Sequence, residues 1–252
     1  MNEEFKISIV TIVYNDANHI ETTVRNILFE QEYGNIEYIV IDGGSTDGTL
    51  DILHKYEDQI SIILSEPDKG ISDAFNKGVQ LATGDLIGLI NSGDYYEPGI
   101  ISEVVKAYDK YQDCNKFNVI HGDIHMFDKV HSKTYKPFPL KTFAYQMPIW
   151  HPTCFVSKDV YRDFSYSLNY RIAMDYELFS RLYKRNANFI YIDQVISHMN
   201  TEGISNSNAQ KGFKEVYTAS IANLGLQTWK ASLYFFRRVF LLKLMECKRK
   251  LW

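Results

Sequence analysis

Apolar runs that stop at small polar residues organise the first hundred positions of the chain. The run Leu86–Ile90 contains one glycine and is followed by Asn91-Ser92-Gly93-Asp94, a pattern typical of a strand buried on both faces within a parallel sheet. Three earlier runs have the same character and span Ile7–Val13, Ile36–Ile41 and Ile60–Leu64. Segments with apolar residues at helical spacing separate the runs, most clearly at residues 19–29 and 71–81. Alternating strands and helices predict an α/β fold, with helices flanking a mixed but mainly parallel sheet.

The second half of the chain has a less regular pattern. The elements predicted there are a strand at residues 119–123, a hairpin at 125–136, a helix at 174–183 and a late strand at 189–198. From about residue 205 the pattern becomes helical and amphipathic. We therefore predict one domain over residues 1–205, with a front half (1–100) and a back half that closes over it (101–205), followed by a helical extension over 206–252.

Composition places the chain among ordinary globular proteins. Its 252 residues are 45% hydrophobic and carry a net charge of -4, which supplies a full core and gives no reason to expect a nucleic-acid partner. Three scattered cysteines, Cys114, Cys154 and Cys247, favour a reducing, cytoplasmic compartment over a disulfide scaffold or a zinc site. We expect neither a secretory signal nor a membrane-spanning segment, because no apolar run reaches the roughly 18 residues that a bilayer requires.

Positive charge is concentrated near the C-terminus. Residues 228–252 contain seven basic residues and one acidic residue, Glu246, among many large apolar ones. A basic amphipathic helix of this kind fits a membrane surface that carries anionic lipid. Packing against the rest of the domain, or a contact between two copies of the chain, explains the same pattern, and these interpretations stay open.

Polar clusters follow three of the predicted strands, at residues 11–15, 42–47 and 91–94. Because parallel strands end at the same edge of a sheet, Asp42 and Asp94 should converge there, where open α/β sheets bind ligands. A carboxylate at this edge can hold a divalent cation, which can neutralise a diphosphate. The glycine-rich fingerprints of dinucleotide oxidoreductases and P-loop NTPases are missing from the sequence, which disfavours both classes.

Six short motifs carry a resemblance to a known family. In chain order they are Thr11-Ile12-Val13-Tyr14-Asn15, Ile41-Asp42-Gly43-Gly44-Ser45-Thr46-Asp47-Gly48-Thr49, Asp73-Ala74-Phe75-Asn76-Lys77-Gly78, Ala82-Thr83-Gly84-Asp85, Asn91-Ser92-Gly93-Asp94 and Met174-Asp175-Tyr176-Glu177-Leu178. Over roughly residues 6–205 the chain resembles the family 2 inverting glycosyltransferases, which have the GT-A fold. It is most similar to the bacterial branch that builds capsule, exopolysaccharide and O-antigen repeat units. The front half would then bind the nucleotide-sugar and the back half the acceptor.

For the donor, the resemblance implies a pocket lined by Thr11, Tyr14 and Asp42. These residues would hold the base and ribose of a nucleotide-diphospho-sugar, most often a UDP-sugar in this family. An aromatic ring can stack on a base, and a carboxylate can accept hydrogen bonds from ring N–H or ribose hydroxyl groups. Asp73 and Asn76 would border the same pocket, although they also fit as ordinary polar residues at a helix start.

For the metal, the resemblance points to Asn91–Asp94, which corresponds to the metal-binding motif of the family. Gly93 replaces the middle acid of that motif, which leaves Asp94 as its carboxylate for Mn²⁺ or Mg²⁺, while Ser92 would contact the donor. One or two carboxylates suffice when phosphate oxygens and water complete the metal shell. His198 occupies the place of a late histidine near the diphosphate, where it would complete the shell or pair with phosphate. A histidine that faces solvent at a strand end is the alternative.

Asp175 matches the catalytic base of the family. In an inverting transfer one carboxylate takes the proton from the acceptor hydroxyl as that oxygen attacks the anomeric carbon. Met174 stands where many relatives have a preceding acid, so Glu177 is the substitute candidate. Trp150 and His151 resemble the segment that floors the acceptor site, and a packed loop anchor is the alternative interpretation of both.

The sequence thus predicts a metal-dependent inverting glycosyltransferase that extends a bacterial surface glycan. Its acceptor would be a glycan or a polyprenyl-diphosphate-linked glycan, and its basic C-terminal helix would hold it at the inner face of the cell membrane. A non-catalytic sugar-nucleotide-binding or scaffold protein with the same fold is the alternative that Gly93 and Met174 favour. A nucleotidyltransferase is a third possibility, and the oligomeric state stays open.

Overall fold

The structure, a computed structural model, describes residues 5–201 and 209–249 of the chain. Within these residues a nine-stranded sheet forms the centre of the molecule. Its strands are β1 (Ile7–Val13), β2 (Ile36–Asp42), β3 (Ile62–Ser65), β4 (Leu86–Asn91), β5 (Tyr95–Tyr96), β6 (Asn118–Phe127), β7 (Ser132–Tyr135), β8 (Phe155–Ser157) and β9 (Asn188–Asn200). The helices are α1 (Ile20–Phe29), α2 (Thr49–Leu53), α3 (Ile71–Leu81), α4 (Ile100–Tyr111), α5 (Val160–Asp163), α6 (Met174–Lys184), α7 (Ala209–Leu224) and α8 (Thr228–Arg249).

The sheet is parallel in its first half and mixed in its second. Its strand order is β3-β2-β1-β4-β8-β6-β9-β5, with β7 paired to β6. Strands β1 to β4 pair in parallel, whereas β8 is antiparallel to both β4 and β6, and β6 pairs with β9 in parallel. The predicted α/β fold with a mainly parallel sheet is confirmed. Strand β4 lies at the junction of the two halves. Its neighbour β1 is parallel to it, whereas its other neighbour, β8, is antiparallel. The sequence pattern predicted parallel neighbours on both sides.

Alternation along β1 divides the core between the two faces of the sheet. Ile7 and Ile9 are fully buried in the cluster formed with α1 and α4, and Val10 is fully buried in the cluster formed with α3 and α6. Burying one such side chain stabilises the fold by about 1.5–3 kcal/mol. Gly78 lets α3 approach the sheet closely, because a Cβ at this position would overlap Val10. The close packing of α3 and α6 on one face matters for the site, since both helices begin at its edge.

The two C-terminal helices pack on the back half of the domain. Helix α7 lies along α6, with Ala219 and Ser220 buried, and one face of α8 docks where Tyr234 stacks on Tyr145 with ring centroids 4.6 Å apart. The helical extension is thereby confirmed, while its predicted boundary near residue 205 lies outside the described residues. None of the helices in the described ranges combines the length and hydropathy that crossing a bilayer requires.

Candidate active site

The carboxyl ends of β1, β2 and β4 meet at one edge of the sheet. In the strand register Val13 pairs with Asp42 and Ile12 pairs with Asn91. The N–H of Ser92 continues this pairing with a 3.0 Å hydrogen bond to the carbonyl of Ile12. The polar clusters after these strands are therefore neighbours, which confirms the expectation that they share one rim.

Asp42 ends β2 as a fully buried carboxylate. Its Oδ2 accepts hydrogen bonds from the N–H groups of Gly44 and Ser45, at 3.0 and 2.9 Å, and from the Ser65 hydroxyl at 2.6 Å. Its Oδ1 has no hydrogen-bond partner among the described residues. A buried oxygen without a partner costs free energy unless a ligand donates to it. Asp42 can thus accept a hydrogen bond from a ring N–H or a hydroxyl group at this edge.

Tyr14 provides an open aromatic surface near Asp42. Its side chain is 64% exposed, and a Cβ added to Gly43 would lie 3.2 Å from its ring and 2.6 Å from Oδ2 of Asp68. Gly43 therefore lets the ring and a second carboxylate come together. Our sequence analysis missed Asp68, although its position in a loop between a strand and a helix at this edge was an available signal.

Hydrogen bonds between the loops after β1 and β2 hold Tyr14 in place. The N–H of Asn15 donates to Oγ of Ser45 at 2.7 Å, and Oδ1 of Asn15 accepts from the N–H of Thr46 at 2.8 Å. Asn15 has a φ of +50°, a left-handed conformation that asparagine tolerates better than most residues. The pairing of the two loops pre-organises the aromatic surface for a ligand, which reduces the entropy cost of binding.

Two residues expected to line the donor pocket are engaged by other parts of the chain. Thr11 is fully buried, and its hydroxyl accepts a 3.1 Å hydrogen bond from Tyr38. Asn76 donates to the carbonyl of Tyr166 and accepts from its N–H, both at 2.8 Å. Their predicted contacts with the donor stay a prediction. Thr11 lies within β1 and points into the core, and the amide group of Asn76 is engaged by the backbone of Tyr166.

Asp73 and Ser92 shape the loops at the edge of the sheet. Oδ2 of Asp73 accepts a 3.0 Å hydrogen bond from the N–H of Lys69, which closes the turn that leads into α3. The Ser92 hydroxyl donates to Oδ2 of Asp16 at 2.7 Å. Both side chains are partly accessible, so each can still offer an oxygen atom to a bound ligand.

Asp94 is buried in the loop after β4, with 4% of its surface exposed. Its Oδ1 accepts a 3.0 Å hydrogen bond from the N–H of Asn200, and its Oδ2 lies 3.5 Å from Nδ2 of Asn91. Burial raises the pKa of Asp94 to about 7 against the effect of these two hydrogen bonds, and the charge of Asp16 also raises it. A nearby cation would stabilise the ionised form of such a carboxylate.

The oxygen atoms around Asp94 fit a hard divalent cation. Asn91 contacts Asp94 directly, Asp16 interacts with it electrostatically, and Ser92 is bound to Asp16. Mg²⁺ and Mn²⁺ prefer oxygen ligands of this type. No three histidine, cysteine or carboxylate side chains form a complete metal site within residues 5–201 and 209–249. A cation held by Asp94 would therefore need further oxygen ligands from a bound diphosphate and from water.

His198 is paired with Glu97 and not with Asp94. Its Nε2 lies 2.6 Å from Oε2 of Glu97, and its ring stacks on Tyr95 with centroids 4.5 Å apart. The antiparallel pairing of β5 with β9 sets this arrangement, because Tyr95 and His198 are directly opposed. Because Glu97 engages its Nε2, the expected contact of His198 with the metal or with a phosphate stays a prediction.

Asp175 is half-buried in the first turn of α6. Its carboxylate accepts a 2.7 Å hydrogen bond from the N–H of Tyr176. Burial raises the pKa of Asp175 to about 6; backbone hydrogen bonds oppose this shift, and the charge of Glu215 adds to it. A carboxylate with a pKa closer to neutrality is a better proton acceptor than an ordinary aspartate.

Two buried groups interact with one of these carboxylates each. Burial raises the pKa of the Cys154 thiol, and the charge of Asp175 contributes to the shift. Burial likewise raises the pKa of Tyr96, with contributions from Cys154 and Asp94.

Glu177 is a structural residue of α6. Its side chain is 6% exposed, forms a 2.9 Å ion pair with Arg181, and lies 3.4 Å from Nδ2 of Asn223 on α7. Since it follows Asp175 by two residues on a helix, it points to a different side. Arg181 and Asn223 engage its carboxylate, and its role as a base or an acceptor contact stays a prediction.

His151 matches the packed-anchor interpretation. Its Nε2 lies 3.0 Å from the Tyr166 hydroxyl, and its ring packs on Phe75 with centroids 5.1 Å apart. Burial lowers the pKa of His151 to about 4, so the ring is neutral. Trp150 is half-exposed and contacts Tyr135. The Trp150 ring also contacts Phe138, with centroids 6.2 Å apart.

A cavity of about 260 Å³ opens between the start of α3 and the segment that leads into α6. Among the residues that the structure describes, the cationic side chains of Lys69, Arg171 and Lys211 line it, and no acidic side chain does. The charge of this cavity favours an anionic ligand.

A match to a family model identifies the family of the chain. The model of glycosyl transferase family 2 matches residues 8–166. The chain belongs to this family. It is a glycosyltransferase with the GT-A fold, as the resemblance of its motifs implies.

Curated relatives of this glycosyltransferase agree with the assignment. It is 31% identical over 179 residues to an uncharacterized glycosyltransferase of Mycobacterium tuberculosis. The aligned region covers 69% of this chain and 68% of the relative. It is 28% identical over 190 residues to a PGL/p-HBAD biosynthesis glycosyltransferase of Mycobacterium bovis, which covers 73% of each chain. The putative teichuronic acid biosynthesis glycosyltransferase TuaG of Bacillus subtilis is 35% identical over 94 residues, which covers 36% of this chain and 37% of the relative.

Solved structures share the fold of this glycosyltransferase. The structure of S. aureus TarS 1-349 in complex with UDP-GlcNAc matches with a TM-score of 0.71 at 17% identity. The match covers 91% of this chain and 70% of the TarS chain. The mannosyltransferase PcManGT from Pyrobaculum calidifontis, in complex with GDP-Man and Mn²⁺, matches with a TM-score of 0.66 at 16% identity. That match covers 92% of this chain and 70% of the PcManGT chain. At these identities the likeness establishes the fold alone.

Proposed function

We propose that this glycosyltransferase transfers a sugar, with inversion at the anomeric carbon, from a nucleotide-diphospho-sugar to a glycan or lipid-linked glycan in bacterial surface polysaccharide synthesis. One observation carries the proposal: two buried or half-buried carboxylates with raised pKa values, Asp94 at the sheet edge and Asp175 at the start of α6. The first suits a metal-bound diphosphate and the second suits a reacting hydroxyl group.

The donor base would stack on Tyr14 and donate a hydrogen bond to Oδ1 of Asp42. We propose a UDP-sugar, since uracil presents one ring N–H to that oxygen and the ribose hydroxyls can reach a second carboxylate such as Asp68. The UDP-GlcNAc complex of TarS supports this choice. The GDP-Man complex of PcManGT makes a purine donor the variant to include in a test.

A divalent cation, Mn²⁺ or Mg²⁺, would be held by Asp94 together with Asp16 and would stabilise the charge on the departing diphosphate. Ser92 would contact the donor from the same loop, and Asp73 from the start of α3. The Mn²⁺ in the PcManGT complex supports a metal-dependent transfer.

Asp175 would accept the proton of the attacking acceptor hydroxyl. The hydroxyl oxygen forms a bond to the anomeric carbon on the face opposite the nucleotide, and the bond between that carbon and the phosphate oxygen breaks. The nucleoside diphosphate leaves with the electron pair of the broken bond. Attack from the opposite face inverts the configuration of the transferred sugar.

The acceptor would bring an anionic group and a sugar to the site. The cationic cavity lined by Lys69, Arg171 and Lys211 suits the phosphates of a polyprenyl-diphosphate-linked acceptor, and the exposed face of Trp150 suits a sugar ring. Relatives named for PGL/p-HBAD and teichuronic acid biosynthesis support a role in surface glycan synthesis.

Helix α8 would lie on the anionic inner face of the cell membrane. One of its faces docks on the domain through residues such as Tyr234. The opposite face exposes a stripe of large apolar side chains, namely Trp229, Leu233, Phe236, Phe240 and Leu244. Lys230, Arg237 and Lys243 are exposed on the same helix, and each contributes about 1 kcal/mol near anionic lipid. This position would bring the site to a lipid-linked acceptor.

A non-catalytic sugar-nucleotide-binding protein is the second candidate. Two departures from the family motifs favour it: Gly93 stands in place of the middle acid, and Met174 stands before the base. Such a protein would bind the donor without turning it over.

Thermal unfolding with a panel of nucleotide-sugars, with and without Mn²⁺, tests the proposal. A ligand that binds only the folded state raises the melting temperature, so we expect one donor to do so in a Mn²⁺-dependent manner. That donor should then release nucleoside diphosphate when an acceptor is added. Stabilisation without release would favour the binding protein, and release of pyrophosphate would favour a nucleotidyltransferase. No stabilisation by any nucleotide-sugar would contradict the proposal.

A further inference from the structure

The C-terminal helix α7 contacts the segment that carries Asp175. Oε2 of Glu215 accepts hydrogen bonds from the N–H groups of Ile172 and Ala173, both at 2.8 Å, and both carboxylate oxygens lie 3.2 Å from the N–H of Arg171. These three residues directly precede α6, in which Asp175 is the second residue. One carboxylate thus satisfies three successive N–H groups at a helix start, the end of a helix that favours negative charge.

The packing around Glu215 brings α7 close to this segment. Gly212, one turn earlier, is buried, and a Cβ there would lie 3.0 Å from Cγ2 of Ile172. Asn223, two turns later, donates to the carbonyl of Glu177 at 3.1 Å and to the hydroxyl of Ser180 at 2.9 Å. Residues along one face of α7 therefore fix its register against α6.

Apolar contacts such as that of Ala219, which is fully buried, also hold α7 against the domain. A charged side chain that binds three N–H groups adds a constraint of a different kind. It fixes the backbone of residues 171–173, and through this backbone it fixes the position from which Asp175 projects.

We propose that Glu215 is a positioning residue, which holds the Arg171–Ala173 segment so that Asp175 meets the acceptor hydroxyl in the geometry required for proton transfer. The helical extension is then a working part of the active site and not only a membrane or packing element. This inference rests on the proposed function of Asp175 as the base. It also has an electrostatic consequence, because the charge of Glu215 raises the pKa of Asp175 and neutralising Glu215 should lower it.

Three buried titratable groups near Asp175 are neutral near neutral pH. Burial raises the pKa of Cys154 and of Tyr166. Burial lowers the pKa of His151, which is hydrogen-bonded to Tyr166, to about 4. Of the side chains in the described ranges that interact with Asp175, Glu215 is the one that contributes a charge. A shift in the titration of Asp175 therefore reports on Glu215.

The test compares kcat, donor KM and the pH dependence of kcat/KM in wild type, Glu215→Gln and Glu215→Asp. We expect Glu215→Gln to lower kcat by about tenfold or more, because a small misplacement of a reacting group is costly. The donor KM should change little, and the apparent pKa of the acidic limb should fall below the wild-type value. Glu215→Asp keeps the charge on a shorter side chain, so it should lower kcat while keeping the wild-type acidic limb. Lys214→Gln, at an exposed neighbour on the same helix, should behave as wild type.

A folded Glu215→Gln protein with wild-type kcat and an unshifted acidic limb would overturn the inference. If this variant does not fold, Glu215→Asp decides the matter, and wild-type kcat in that protein would overturn it. Asp175→Asn separates the two proposals. If Asp175→Asn is inactive while the Glu215 variants are normal, only the inference on Glu215 fails. If Asp175→Asn has wild-type activity, the proposed base is wrong and the role of Glu215 fails with it.

Discussion

The N–H of Asn200 donates a 3.0 Å hydrogen bond to Oδ1 of Asp94. The two residues meet because β5, which follows Asp94 directly, pairs with the end of β9. The bond orients one oxygen of the carboxylate and leaves Oδ2 with a 3.5 Å approach from Asn91. Oδ2 is therefore the oxygen that a cation at this edge would bind.

Replacing Asp94 with asparagine should stabilise the metal-free protein at high pH and abolish metal-dependent activity. Burial raises the pKa of Asp94 from 3.8 to about 7, so the folded state holds a proton that the unfolded state releases. The resulting stability is fully present below about pH 4 and is lost as the pH rises through about 7. The loss amounts to at most about 4 kcal/mol. Thermal unfolding across this pH range, with and without Mn²⁺, measures it.

In these experiments wild type should be the less stable protein above neutral pH. Mn²⁺ added together with a nucleoside diphosphate should stabilise wild type more than the variant. Asp109→Asn, at an exposed position of α4, serves as the control and should leave both the pH dependence and the Mn²⁺ effect unchanged. Identical pH dependence in wild type and Asp94→Asn would contradict a buried, protonated Asp94.

Truncating Tyr14 should weaken donor binding without destabilising the fold. The ring is 64% exposed, and stacking of a base on an aromatic side chain contributes about 1–3 kcal/mol. The Kd of Tyr14→Ala for the nucleoside diphosphate with Mn²⁺ should therefore rise by roughly 5- to 150-fold, as measured by calorimetry. Tyr14→Phe should bind like wild type, and Tyr111→Ala, at a ring 54% exposed on α4, is the matched control. Unchanged affinity in Tyr14→Ala would mean that the base binds elsewhere.

Asn76 should prove to be a stability residue and not a donor contact. Asn76→Ala removes both hydrogen bonds to the backbone of Tyr166 and leaves an N–H and a carbonyl without their partner, at a cost of about 1–3 kcal/mol for each group that stays buried. Chemical denaturation should detect the loss. Calorimetry on the folded variant should give the wild-type donor Kd. A large loss of donor affinity with little loss of stability would restore Asn76 to the donor pocket.

The exposed face of α8 should bind anionic membranes. Phe236 and Phe240 are 66% and 62% exposed, so Phe236→Gln with Phe240→Gln should fold normally and lose most of its affinity for phosphatidylglycerol vesicles in a sedimentation assay. Wild-type binding should weaken with added salt, because screening reduces the attraction of the basic side chains. Val130→Gln is the control, because Val130 is an exposed apolar residue outside α8. Equal vesicle binding by wild type and the double variant would exclude this face of α8 as the membrane-binding surface. Concentration-dependent dimerisation that the double variant loses would instead make this face a contact between two copies of the chain.

Much of the fold follows from local sequence patterns. The helix predicted at residues 71–81 is observed over Ile71–Leu81, because its apolar spacing and its flanking glycine are local features. The shared rim of Asp42 and Asp94 follows from parallel pairing alone. In contrast, β5 and β8 contain two and three residues, which is too short for any periodicity to appear, and so the antiparallel neighbour of β4 was missed.

The contacts that the sequence did not predict at the site join residues that are distant along the chain. Asn76 is 90 residues from Tyr166, and His198 is 101 residues from Glu97. A motif states which residue types occur at which spacing, but it does not state which remote group engages a side chain. The hydrogen bonds between Glu215 and the start of α6 span 42 to 44 residues and lie outside every motif, so sequence reasoning had no means to find them.

Release of nucleoside diphosphate by Asp175→Asn, measured with the donor and an acceptor beside wild type, tests the central claim most directly. A general base contributes about 10²- to 10⁴-fold, so kcat should fall by this factor while the donor Kd stays within about threefold of wild type. Wild-type activity should decline as the pH falls through about 6, because burial raises the pKa of Asp175 to that value and the base must be ionised. A folded Asp175→Asn protein that releases nucleoside diphosphate at the wild-type rate would contradict the proposed mechanism.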